Sequence, residues 1–423
     1  MSIFIRNNLI HSLTLYVICI ILAPILMILA FLFPEAPIRE HALSSADLFR
    51  TEGVYHDQIP GVYTTKLDNY TDSAMLLQAM YKGKQSVVNK AMNIYSRKKP
   101  DMTYYDALLY ISEGHHIKQK HVYFWYWHGY MIFLRPLLVF FDYMNIRLLN
   151  CFFQILLLAL FLIKLYKICG YAYILPFICA YFLASPTTLM LSLQFSSCFY
   201  VLMISALLLL HAYERDCLGK NYPTIFFLSG VLLSFFDFLT YPSVVIGMLI
   251  VLFLILNEFN SLLPILKRGI LAIAFWVIGY ISFWAGKWII ASLLLRKNCL
   301  SKAIERISLQ TSNENEVVEN LIPETFERNY SWFSYNAYSS IIIIVSLIMI
   351  ILLIRHRIRK NWLTHIVPFL CAMSIPVLWY FFATTHSYYH YWMEYRDNMV
   401  LLFAWFSMLV KLRSDTRMEP ALQ

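Results

Sequence analysis

Hydrophobic and polar positions along this chain come in long blocks: apolar runs of helical length are divided by short polar breaks and by two long polar stretches, 34 to about 128 and 296–337. Apolar runs near or above 18 residues read as helices that cross the roughly 30 Å hydrocarbon layer of a membrane at about 1.5 Å per residue. About ten such runs occur, at approximately 9–33, 147–165, 171–189, 192–212, 223–237, 241–257, 267–293, 338–355, 363–384 and 397–411. The fifth and sixth are short and are joined by Asp237-Phe238-Leu239-Thr240-Tyr241-Pro242, so a merged or re-entrant pair is the competing arrangement there. The pattern predicts an all-α polytopic membrane protein of about ten transmembrane helices with two extracytoplasmic loop regions.

The expected organisation is a first helix at 1–33, an extracytoplasmic loop with an interfacial helix at 34–146, a central bundle at 147–295, a second extracytoplasmic loop at 296–337, and C-terminal helices with a short cytoplasmic tail at 338–423. Only Arg6 precedes the first run, as in a secretory signal, but its apolar region is about 24 residues long and no small-x-small cleavage site follows. It is expected to remain as the first helix. In the first loop, residues 123–145 mix Trp125, Trp127, Phe133, Leu137 and Phe140 with His128 and Arg135, which predicts a helix lying along the outer leaflet.

Composition agrees with this partition. Hydrophobic residues make up 60% of the 423 and charged residues 14%, against roughly 25% charged in soluble domains. A soluble enzyme, a disordered tail protein and a nucleic-acid-binding module are thereby excluded. The net charge of +9 is a matter of topology. With both termini in the cytoplasm, the inner segments hold 14 Lys/Arg, among them Arg215, Lys267, Arg357, Lys411 and Arg417, against 5 acidic residues. That excess is the positive-inside signature expected of a multi-pass plasma-membrane protein with both termini cytoplasmic. The eight cysteines offer no pair on the oxidising face, and neither a zinc spacing nor a Gly-rich nucleotide loop occurs.

Ionisable groups at membrane level are costly to place and therefore point to function. Asp68 and Asp72 lie in Leu67-Asp68-Asn69-Tyr70-Thr71-Asp72. If the helix begins at Ala74, Asp72 caps it and Asp68 is left in the preceding turn; if it begins earlier, the two share a face at i, i+4. Either can act as a general base or hold a divalent cation, with capping and solvation the competing account. His128 and Arg135 follow in Tyr126-Trp127-His128-Gly129 and Arg135-Pro136, where the guanidinium fork suits a phosphate. Asp237, with Tyr241 beside it, ends an apolar run at a Pro break; pairing with Arg135 or Arg396 competes with ligand binding. His386, His390 and Arg396 fall in the run from His386 to Asp397. The two histidines have the i, i+4 spacing of metal ligands without an HExxH pattern, and phosphate binding by His390 and Arg396 is the stronger reading. Lys287, near the outer end of the seventh run, is expected to snorkel.

A loop-one carboxylate with arginines, histidines and many Tyr and Trp at the outer face resembles the GT-C class of integral-membrane glycosyltransferases. The segments YWHG with RPLL, DFLTYP and HSYYHYWMEYR also resemble recurring pieces of a poorly characterised bacterial branch of polytopic proteins. The resemblance implies a GT-C-like fold and an enzyme of cell-envelope polysaccharide biosynthesis that moves a sugar from a polyprenyl-phosphate donor to a glycan acceptor. It needs no resident cofactor apart from an optional divalent metal, and its partners are the bilayer, the lipid-linked sugar and the acceptor. Asp68, with Asp72 as alternate, would be the base. Arg135, Arg396 and His390 would neutralise the departing phosphate. A Wzy-like polysaccharide polymerase and a lipid-linked glycan transporter are the rival classes. Residues 34–128 hold 11 Lys/Arg against 10 acidic residues, a balance that favours the transferase.

Overall fold

Each of the ten apolar runs folds as helix, but they differ in length and surroundings. The computed structural model describes residues 3–258, 260–301, 304–305, 320–355 and 358–413. Arg357, Arg417 and residues 306–319 of the second polar stretch lie outside the described residues. Among those described, six helices are long and apolar enough to cross a membrane: Ile3–Ala30, Tyr143–Cys169, Leu193–Glu214, Leu262–Leu295, Ala337–Arg355 and Trp362–Phe382. The other four runs form Ile174–Leu183, Leu218–Phe236, Ser243–Leu256 and Met399–Lys411. The third run stops at Ser185, whose φ of +55° is left-handed, and restarts with Pro186 at the head of Pro186–Leu191.

Burial sorts these helices. All fourteen residues of Ser243–Leu256 are buried, as expected of a helix that is apolar on every side and stands at the centre of a bundle. The outer helices Ile3–Ala30, Tyr143–Cys169 and Ala337–Arg355 instead expose rows of large apolar side chains, such as Leu13, Leu160 and Ile344. Residues 237–242 separate two helices that run in opposite directions: the ring of Tyr222, at the start of one, lies 4.8 Å from that of Phe253, at the end of the other. Helices Leu218–Phe236 and Leu262–Leu295 approach closely because Gly230 and Gly279 each leave room only for the other's backbone.

Among the described residues, basic groups assigned to the cytoplasm meet at one end of the bundle. There Lys411 reaches the Ile255 carbonyl at 3.0 Å and Glu258 at 3.2 Å, while Arg359 pairs with Glu258 at 2.8 Å. The first polar stretch closes the opposite end. It folds into short helices, including Glu35–Ser44, Asn69–Ala79, Val87–Asn93 and Tyr104–Ser112, with one antiparallel strand pair, Tyr95–Arg97 and Lys120–Val122.

Two sequence expectations change here. Residues 123–145 form no single interfacial helix: 123–130 is turn and bend, Met131–Phe140 is helix, and Asp142 starts the next helix by accepting the Asn145 N–H at 2.9 Å. Its polar groups face inward, with His128 and Arg135 each 1% exposed, whereas Phe133 and Phe140 face outward. Lys287 does not snorkel. It is fully buried, donates to the Met92 carbonyl at 3.0 Å and lies over the Trp127 ring, so its charge sits at the C-terminus of Val87–Asn93.

Candidate functional site

Between the folded first loop and the bundle lies a cavity of about 430 Å³. Its walls come from distant parts of the chain: Asp68, Thr71 and Gln78 on one side, Tyr104 to Tyr126 on another, Gln194 and Leu239 at the base, and His386, His390 and Trp392 opposite. Of the residues singled out by sequence, Asp68, His386 and His390 line this one space.

Asp68 is the N-cap of Asn69–Ala79, so the helix begins earlier than Ala74. One carboxylate oxygen accepts the Thr71 N–H at 3.0 Å and the other the Thr71 hydroxyl at 2.7 Å. Burial nevertheless outweighs these bonds and pushes the carboxyl up to about 7, with nearby Asp72 adding to the rise. A carboxylate poised near neutral pH is suited to general base work.

The wall beside Asp68 is a hydrogen-bonded chain. The Tyr130 hydroxyl donates to Gln78 Oε1 at 2.7 Å and lies 2.9 Å from His128 Nδ1, and His128 Nε2 lies 2.8 Å from the Tyr123 carbonyl. The carbonyl can only accept, so Nε2 carries the hydrogen. Burial, with Lys287 nearby, lowers His128 to about 3, and the ring is neutral at physiological pH. His128 therefore supports the wall; it does not line the cavity.

On the opposite wall, His386 Nε2 lies 2.6 Å from the Leu239 carbonyl and 3.1 Å from Glu394 Oε1. Both are acceptors, which again places the hydrogen on Nε2. Glu394 is fully buried, and its other oxygen accepts Trp379 Nε1 at 2.6 Å and the Ser387 hydroxyl at 3.1 Å. The His386 and His390 rings are 4.6 Å apart. Among the described residues, no group of three or more His, Cys, Asp or Glu is placed to hold a metal ion.

The remaining candidates lie away from the cavity. Asp72 starts the bundle helix Leu193–Glu214: it accepts the N–H groups of Leu193 at 3.1 Å and Gln194 at 2.9 Å, the Ser192 hydroxyl at 3.0 Å and the Tyr143 hydroxyl. Arg135 donates to the carbonyls of Ala30, Ala79 and Phe33, tying the ends of two helices together. Arg396 donates to Ala184 at 3.0 Å and Trp392 at 2.9 Å and stacks on Phe195. Asp237 holds the helix break by accepting the Thr240 N–H at 2.8 Å and hydroxyl at 2.5 Å. That turn sets Leu239 at a φ of +72° and presents its carbonyl to His386. The Tyr241 hydroxyl donates to the Phe195 carbonyl at 2.5 Å. Neither arginine is brought to the cavity.

A second space adjoins the first. An apolar groove of about 880 Å³ runs between helices Met131–Phe140, Tyr143–Cys169 and Leu193–Glu214, along Ile146, Phe153 and Leu160. Met75 and Tyr130 line both groove and cavity. Sequence reading passed over both of these residues, along with Gln78, Gln194 and Glu394. Only Glu394 carried a signal, the i, i+4, i+8 spacing after His386 and His390. Compared with family models, curated proteins and solved structures, the chain matches none.

Proposed function

We propose that this protein is a membrane glycosyltransferase that moves a sugar from a polyprenyl-phosphate donor to a cell-envelope glycan or lipid-linked acceptor. In this reading the chain crosses a bacterial plasma membrane ten times, with both termini cytoplasmic and the cavity at the outer face. The observation that carries it is the junction at Met75 and Tyr130, where an apolar groove suited to an isoprenoid chain meets a polar, aromatic-walled cavity suited to a sugar. A lipid-linked substrate has that same division between tail and head.

The chemistry is an inverting displacement. Asp68 takes the proton of an acceptor hydroxyl, the hydroxyl oxygen bonds to the sugar's anomeric carbon, and the bond from that carbon to the donor phosphate breaks, leaving the electron pair on the lipid phosphate. Tyr55, Tyr104, Trp125 and Trp392 offer faces for sugar rings. Purified protein in proteoliposomes, supplied with a panel of radiolabelled polyprenyl-phosphate sugars and envelope glycan acceptors, tests this. Transfer by the native chain, lost in a folded Asp68→Asn variant, is expected. Absence of transfer from every donor overturns the enzyme reading, and native-rate transfer by Asp68→Asn overturns the base.

A further inference from the structure

The cavity is short of positive charge. Its lining includes the Asp68 carboxylate and the imidazoles of His121, His386 and His390, but no Lys or Arg. Arg135 and Arg396 are committed to backbone carbonyls. Two neighbouring lysines are committed too: Lys90 pairs with Glu35 at 2.5 Å, and Lys98 donates to the Met102 carbonyl at 2.6 Å.

Lys66 differs. It stands two residues before Asp68 in the segment that forms the cavity wall. Its ammonium lies 5.8 Å from the centre of the Tyr55 ring and 6.0 Å from that of Trp392, and both rings line the cavity. The side chain is half-buried, and among the described residues no hydrogen bond or ion pair reaches its ammonium. Aromatic faces favour a cation without neutralising it. An ammonium held this way, partly out of water and without an anion, is a ready partner for an incoming phosphate.

We infer that Lys66 is the phosphate-binding cation of this cavity, holding the phosphate of the substrate at the rim while Tyr55 and Trp392 position the lysine stem. The inference rests on the lipid-phosphate reading above for its ligand. The same chemistry has two sources, a membrane-borne prenyl phosphate or a free phosphate.

Binding of farnesyl phosphate, farnesol and inorganic phosphate to the full chain in detergent micelles tests it by calorimetric titration. Lys66→Gln is expected to weaken farnesyl phosphate about tenfold and to leave farnesol unchanged, with Lys66→Arg close to native. Lys66→Met, which keeps an apolar stem over the rings, should match Lys66→Gln and serves if that variant folds poorly. Inorganic phosphate that competes in the native chain but not in Lys66→Met assigns the same site to a free phosphate. Equal farnesyl phosphate affinity in the native chain and Lys66→Met overturns the inference, as does equal native affinity for farnesol and farnesyl phosphate. Binding through Lys66 without sugar transfer in proteoliposomes overturns the transferase reading and leaves the phosphate site standing.

Discussion

Asp72 and Gln194 are 122 residues apart in the chain, yet the Asp72 carboxylate accepts the Gln194 backbone N–H at 2.9 Å. That bond, with those from Ser192 and Leu193, neutralises the N-terminus of a buried bundle helix and fixes the first loop upon it. Asp72→Ala is expected to remove roughly 1–3 kcal/mol of stability, since it leaves the buried donors of Ser192, Leu193, Gln194 and Tyr143 without their acceptor. Thermal unfolding in detergent measures this. A midpoint within a degree or two of native would remove Asp72 from the structural role.

Asp68 should behave in the opposite sense. Its folded pKa, about 7, lies above the ordinary aspartate value of 3.8, so the folded protein holds a proton that the unfolded chain releases. Stability is therefore lost as pH rises from about 4 to 7, at most by about 1.4 kcal/mol per unit. Asp68→Asn keeps an oxygen for the Thr71 N–H and carries no charge. It should raise the thermal midpoint more at pH 8 than at pH 5, while transfer falls by about 10²-fold or more. Native transfer should decline about tenfold per unit as pH drops below about 7. A flat pH profile between 5 and 8 would rule Asp68 out as the base.

The helices were legible in the sequence because hydropathy reports apolar length directly. What it could not report is whether lipid or protein surrounds a run: Ser243–Leu256 is the most apolar of the described helices and also wholly enclosed. The Asp68 carboxylate was legible from its place beside a helix start, and the two histidines from their spacing. Arg135 misled because a guanidinium suited to phosphate is equally suited to orphan carbonyls at helix ends, and only tertiary structure decides which it meets. Met75, Tyr130 and Gln194 left no trace because each is an ordinary core residue until the loop folds over it.

Two glycines of one helix make a matched test of packing. Gly269 and Gly279 both lie in Leu262–Leu295, but a Cβ at Gly269 meets nothing within 4 Å, whereas at Gly279 it strikes the Phe227 carbonyl. Gly269→Ala should be neutral or stabilise by up to about 1 kcal/mol. Gly279→Ala should destabilise by about 1–3 kcal/mol as the helices are forced apart. Equal effects on the thermal midpoint would mean that the two helices do not pack through this contact.

The groove predicts a dependence on tail length. Ile146 and Leu160 line it on one helix face, separated by about 21 Å of helix at 1.5 Å per residue, and Ile146 is the nearer in sequence to the loop that forms the junction. Leu160→Trp places bulk in the distal part of the groove, on a side chain that is 49% exposed, so folding should survive. A polyprenyl donor long enough to fill the groove should lose kcat/KM by about tenfold, the scale of one poorly accommodated side chain, while a short-chain donor should be unaffected. Met75→Phe, at the junction itself, should slow both donors because each must place its head group there. The ratio of kcat/KM for long and short donors is the measurement, and a ratio unchanged by Leu160→Trp would place the lipid tail somewhere other than this groove.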